Sequence, residues 1–165
     1  MESSSLERIN GHRLSEFIYG TVMGMVAIAG ISSESHLTWL QAAALIVVGA
    51  GAIWIAHAYS ELISQRIAGG RRLDGRDLYE VLRGSWPIVV AGFVLAIPLL
   101  PVPVGLWSLS TGLWLASALG VVILGILGLV AGKVTNEAWP RRIVWAALTA
   151  GLGLVIVAAE LAVHH

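Results

Sequence analysis

Residues 52–64 read AIWIAHAYSELIS, an apolar run that holds His57 and, four residues on, Glu61. That spacing puts both side chains on one face of a helix. Imidazole nitrogen and carboxylate oxygen together suit Fe²⁺, Mn²⁺, Co²⁺, Ni²⁺ or Zn²⁺. The same pair can carry protons, because histidine titrates near neutrality and a shielded glutamate can as well. A simpler role stands beside this one, in which Glu61 pairs with Arg66 and His57 bonds a backbone carbonyl. Glu16 is the other carboxylate of interest, and Tyr19, Tyr59, Ser60 and Ser64 either add ligands or pack. Glu160 reads as an interfacial residue near the far end of the last apolar run.

The elements that must position these groups are membrane helices. The chain has 165 residues, is 57% hydrophobic and only 12% charged. Its mean hydropathy is +0.82. A soluble domain carries about 25% charged residues, so the class is integral membrane and all-α. A span needs roughly 20 apolar residues, and five runs qualify, at about 14–32, 37–65, 85–100, 106–132 and 143–163. Pro87, Pro98, Pro101 and Pro103 bracket or interrupt the third. No cysteine is present, which excludes disulfides and thiolate sites. The polar start MESSSLERINGHRLSEF lacks the apolar core of a signal peptide, so the first span is expected to remain in the mature protein. The near-neutral charge points to no nucleic-acid partner. Neither a phosphate loop nor a nucleophile–base pair is present, so neither an enzyme nor a bound cofactor is expected.

Charge sets the direction. Arg8 and Arg13 precede span one, and Arg66, Arg71, Arg72, Arg76 and Arg83 follow span two. Lys133, Arg141 and Arg142 follow span four. The other connections hold no lysine or arginine. All ten basic residues thus fall on one side, which the positive-inside rule makes cytoplasmic. The N-terminus is expected inside and the C-terminus outside. The preference for arginine over lysine hints at a bacterial plasma membrane. Trp39, Trp107, Trp86 and Trp139 fall at span ends as interface anchors, whereas Trp54 and Trp114 lie deeper and are expected to pack. Gly20-x-x-x-Gly24 and Gly128-x-x-x-Gly132 are patterns that let helices approach closely. Residues 73–86 alternate charge with Leu73, Leu78, Val81 and Leu82, and read as a short amphipathic helix on the cytoplasmic surface. The chain is expected to form a single membrane domain over 1–165.

Depth follows from a rise of about 1.5 Å per residue. Arg13 and Arg66 mark the cytoplasmic interface. Glu16 and Glu61 then lie roughly 5–8 Å in, Tyr19 roughly 9 Å and His57 roughly 14 Å. A short outer loop makes spans one and two an antiparallel pair. Glu16, Tyr19, His57 and Glu61 are therefore expected to converge in the cytoplasmic half.

The chain resembles the vacuolar iron transporter family of divalent-metal/proton exchangers. The family's second span carries a pattern like S-M-x-x-G-E-Y-x-S. Residues 56–64, AHAYSELIS, are similar, with His57 at the metal-binding Met position, Glu61 at the Glu and Ser64 at the last Ser. LAIPLLP at 95–101 is similar to the end of the family's third span, and GKVT at 132–135 to its fourth-span exit. YGTVMGMVAIAG at 19–30 keeps two first-span glycines. The family's first-span Asp, a central metal ligand, falls on Tyr19 here, with Glu16 one turn away. The cytosolic metal-binding domain has no room in a loop of about 20 residues (66–84). The resemblance implies five spans, a homodimer with the ion path between protomers, and export of a divalent metal from the cytosol in exchange for protons. His57, Glu61 and Glu16 would bind the metal, and Tyr19, Tyr59, Ser60 and Ser64 would line the path or carry protons. Two other readings stand against it. One is a non-transporting accessory or scaffold subunit, and the other is a carrier or channel for another small solute.

Overall fold

The computed structural model describes residues 2–32, 34, 36–69, 74–135 and 137–163. Arg71, Arg72 and Leu73 of the expected loop, the side chain of Arg8, and His164 and His165 lie outside the described residues. The described secondary structure is helical: α1 (Glu2–Ser32), α2 (Trp39–Gly69), α3 (Gly75–Gly84), α4 (Pro87–Ala96), a 3₁₀ turn (Ile97–Leu99), α5 (Leu109–Val134) and α6 (Trp139–Val163). Five stretches are long and apolar enough to cross a membrane: Gly11–Ser32, Trp39–Ile67, Gly75–Leu99, Leu109–Lys133 and Trp139–Ala162. The protein is thus an all-α membrane protein by length and composition of its helices.

The third stretch differs from the expected single span at 85–100. It is a helix broken at Ser85 and Trp86. Asp74 caps α3 by accepting from the Gly75 N–H, and Asp77 accepts from the Asp74 N–H in return, a closed capping box. The Ser85 N–H still donates to the Val81 carbonyl at 3.0 Å. Pro87, at the first turn of α4, has no N–H to continue the ladder. The segment α3 is amphipathic, with only Val81 buried. By contrast α4 buries Ile88, Val89, Ala91, Gly92, Leu95 and Ala96. Together with the 3₁₀ turn, α4 rises about 21 Å, short of the roughly 30 Å hydrocarbon core. The apolar stretch that qualifies as a span by length and composition runs from Gly75 to Leu99 and so takes in the amphipathic α3. After it, the Trp107 indole N–H donates to the Pro98 carbonyl at 3.0 Å. Gly105 takes φ +77°, a conformation that suits glycine, and Ser108 caps α5 by accepting from the Thr111 N–H.

Packing fixes how the helices run. Gly20 of α1 faces Ile88 and Gly24 faces Leu95, so α1 and α4 are parallel. Gly128 faces Ala146 and Gly153 faces Leu124, so α5 and α6 are antiparallel. The helix α4 packs against both α1 and α2. Met25, Ile28, Ile46, Leu95, Leu99, Leu113, Ala116 and Leu124 form the core. In this arrangement the seven basic residues with described side chains (Arg13, Arg66, Arg76, Arg83, Lys133, Arg141 and Arg142) gather at one end of the bundle. Both glycine patterns sit at helix contacts: Gly20 and Gly24 against α4, Gly128 and Gly132 against α6. Trp114, expected to pack, is 56% exposed. Apolar surface on a membrane helix need not be covered by protein, because lipid tails are as apolar as a core.

A Cβ at Gly20 would come within 2.7 Å of the Ile88 Cα, a backbone atom that cannot swing away. Gly51 has nothing within 4 Å of that position. Gly20→Ala is expected to destabilise the detergent-solubilised protein by about 1–3 kcal/mol. Gly51→Ala is expected to be neutral or slightly stabilising, because alanine is the better helix former. Thermal unfolding measures both, and equal melting temperatures would refute the close α1–α4 approach.

Candidate functional site

The site begins with a carboxylate on α1. Glu16 lies on the face of α1 that packs inward and is 5% exposed. Its Oε1 is 3.1 Å from the His57 Nε2 on α2. The same oxygen is 3.6 Å from the Nε2 of His12, one turn earlier on α1. One carboxylate oxygen thus meets two imidazoles. The other, Oε2, is buried and has no hydrogen-bond partner. A buried polar atom without a partner costs about 1–3 kcal/mol, so a ligand that satisfies Oε2 would be favoured there. The Tyr19 ring, one turn beyond Glu16, stands 5.4 Å from the His57 ring at a 38° tilt. At 41% exposed, Tyr19 borders the site rather than sealing it.

Three of the four residues expected to converge therefore do so: Glu16, Tyr19 and His57. Glu61 is held differently. Its Oε1 accepts from the Gln65 side-chain amide at 3.0 Å, and no described hydrogen bond or ion pair joins it to His57. The expected i,i+4 pair shares a helix face, but His57 is engaged across the interface, by Glu16. The pairing of Glu61 with Arg66 is not found either; Gln65, four residues along, takes that role. Glu61 instead lines a cavity of about 260 Å³ with His12, Gln65, Asp77, Glu80, Val81, Gly84 and Ser85. His12 belongs to this cavity and also reaches Glu16, so it links the acidic mouth at the basic end of the bundle to the buried carboxylate. Tyr59 is 66% exposed and Ser60 and Ser64 are exposed as well, and no described hydrogen bond joins any of the three to Glu16. Among the described residues no three His, Cys, Asp or Glu side chains are arranged to hold a metal ion.

His12 is the residue that sequence reasoning missed. Its signal was present, because His12 and Glu16 are four apart, the same spacing that singled out His57 and Glu61. It sits before the apolar run, where a histidine reads as part of a solvated tail. Only the extension of α1 back to Glu2 makes it part of the same helix.

The geometry makes a selective prediction. A double-mutant cycle between His57→Ala and Glu16→Gln should give a coupling of about 0.5–3 kcal/mol, as expected of side chains in contact. The cycle between His57→Ala and Glu61→Gln should fall within about 0.5 kcal/mol of additivity. Unfolding of the purified protein in detergent reads both. A larger coupling to Glu61 than to Glu16 would contradict the cross-helix pair.

The chain matches no protein-family model, no curated protein and no solved structure.

Proposed function

We propose that this protein is a membrane transporter that moves a divalent transition-metal ion of the iron and manganese kind out of the cytosol in exchange for protons. The observation that carries the reading is the Glu16 carboxylate, buried against two imidazoles with Oε2 unpartnered. Ionisable groups at such positions in membrane helices mark ion and proton pathways. Glu16 offers a hard oxygen and His57 a nitrogen, a donor set that suits these metals. Proton and metal compete for the same lone pairs, so loading one releases the other. Glu61, with Asp77 and Glu80 nearby, attracts the cation to the mouth, and His12 hands it inward. Tyr19 borders the path.

The direction follows from the gathering of basic residues, which by the positive-inside rule makes this end cytoplasmic, with the N-terminus inside and the C-terminus outside. The membrane would be a bacterial plasma membrane. Two ligands in one protomer are too few for a transition metal, which takes four or more. A homodimer would supply the rest, with the exposed Ser60 and Ser64, four residues apart on one face of α2, and Tyr59 on another face lining the path. A second reading, a non-transporting accessory or scaffold subunit, is favoured by one observation: no three-ligand group occurs among the described residues.

Flux into proteoliposomes decides between them. Fe²⁺, Mn²⁺, Co²⁺, Ni²⁺ and Zn²⁺ are offered across a proton gradient to the wild type, Glu16→Gln, His57→Ala and Glu61→Gln. Metal movement with opposing proton movement is expected. Glu16→Gln and His57→Ala should abolish both, and Glu61→Gln should slow loading without abolishing it. Absence of flux for every metal with correctly inserted wild-type protein would favour the accessory subunit.

A further inference from the structure

Beside the carboxylate site, two adjoining cavities open between the start of α1, α3 and the start of α4. The first, about 500 Å³, is lined by Trp54, Leu82, Trp86 and Pro87 together with Arg13, Tyr79 and Arg83. The second, about 600 Å³, shares Arg13, Tyr79 and Arg83 and adds His12, Arg76, Glu80 and Gly84. They make one cleft with an apolar, aromatic end and a polar end, and two arginines stand where the ends meet.

Those arginines are uncommitted. Arg76 pairs with Glu80, Arg141 with Glu137, and Arg142 donates to the Glu137 carbonyl. Neither Arg13 nor Arg83 has a carboxylate partner among the described residues. Among the described residues the one carboxylate lining the cleft, Glu80, is already held by Arg76 at 3.2 Å. The cleft is therefore cationic at its waist. Its apolar end is built rather than incidental. The Trp54 indole N–H donates to the Leu82 carbonyl at 3.0 Å, which satisfies the polar atom and ties α2 to the end of α3. The Trp86 ring then packs edge-to-face on Trp54 with centroids 5.5 Å apart. Arg13 lies two residues inside the start of the first apolar stretch, at Gly11. Trp86, placed at the inner end of its span, and two arginines at that level suit a membrane interface, with Trp54 packed beneath them.

We propose that this cleft binds an anionic phospholipid. The phosphate lies between Arg13 and Arg83, whose guanidinium groups suit its oxygens. The polar headgroup extends toward His12 and Arg76, and the upper acyl chain runs over Trp54, Trp86 and Leu82. A free phosphate ester would use the cationic waist alone. The aromatic end, continuous with it, fits a ligand with a hydrocarbon tail. Basic pockets between membrane helices on the cytoplasmic side take lipid headgroups by this same chemistry. The proposal does not depend on metal transport.

Native mass spectrometry of the detergent-solubilised protein tests it, with phosphatidylglycerol, phosphatidylcholine and glycerol 3-phosphate as probes. The wild type should retain phosphatidylglycerol roughly tenfold over phosphatidylcholine, the scale expected of one or two interfacial arginines. Arg13→Gln with Arg83→Gln should lose that preference. Arg66→Gln with Lys133→Gln, which removes two charges from the same end of the bundle, should keep it. An excess of glycerol 3-phosphate should leave the lipid bound. Equal retention of the two lipids by the wild type overturns the proposal, and this needs no variant to fold. It is also overturned if the Arg13/Arg83 variant keeps the preference, or if the Arg66/Lys133 variant loses it. Displacement by glycerol 3-phosphate would make the site one for soluble phosphate esters.

Discussion

The close approach of α1 to α4 is the constraint on which the rest of the bundle depends. Gly20 lets the two backbones meet at Ile88, and Gly24 makes room for the Leu95 side chain. In a bilayer no hydrophobic force drives helices together, so such contacts rest on packing that a single methyl group would disturb. On the other side of α4, Gly92 receives Ala50 of α2. A short α4, buried at Ile88, Val89, Ala91, Gly92, Leu95 and Ala96, is thereby held between α1 and α2, and it sets the distance and rotation of both. The meeting of Glu16 with His57 is a consequence of that wedge, since both residues sit on faces that α4 turns toward each other. Further along, Met25 of α1 fills the space opposite Gly120 of α5 and reaches Gly153 of α6, which joins the remaining helices to the same core.

The buried polar residues of α1 differ in how their polar atoms are satisfied. Thr21, one turn from Glu16, is also buried, but its hydroxyl donates back to the Phe17 carbonyl and so needs nothing from outside its own helix. Glu16 has no such internal solution. A carboxylate has about four acceptor sites, and here the two imidazoles serve only one of its oxygens. The difference between a satisfied Thr21 and a half-satisfied Glu16 separates a polar residue that packs from one suited to bind something. His12 adds a connection to the acidic cavity of Glu61, Asp77 and Glu80, so the buried group is not isolated from the end of the bundle. The break between α3 and α4 shapes this region too. It turns Trp86 beside Trp54 and leaves Arg13 and Arg83 facing one cleft, a few residues from the carboxylate site.

Much of this was legible beforehand, for reasons of length and composition. Apolar runs of span length, interrupted by arginine clusters and prolines, specify helices and their order without any tertiary information. The 73–86 segment showed its amphipathic pattern, and the capping residues Asp74 and Asp77 bound the helix that forms there. The glycine patterns marked helix contacts, though not which partner each would meet. The misreadings share a cause. Helical spacing says which residues share a face and is silent on what the face meets. It put His57 beside Glu61, although His57 is turned to Glu16 and Glu61 bonds Gln65. It left His12 in a tail, because the α1 helix continues well past its apolar part.

The sequence by itself determined the class, the number of apolar stretches and the segregation of basic residues, since each depends only on the free energy of moving single residues between water and hydrocarbon. It also determined that ionisable groups would lie within the first two stretches. Only the tertiary structure decided which of those groups touch. That depends on rotation about each helix axis, set by close contacts such as Gly20 with Ile88 and Gly92 with Ala50. A rotation of one residue, about 100° at 3.6 residues per turn, would carry Glu16 from the core to the surface at no cost to any pattern a sequence displays.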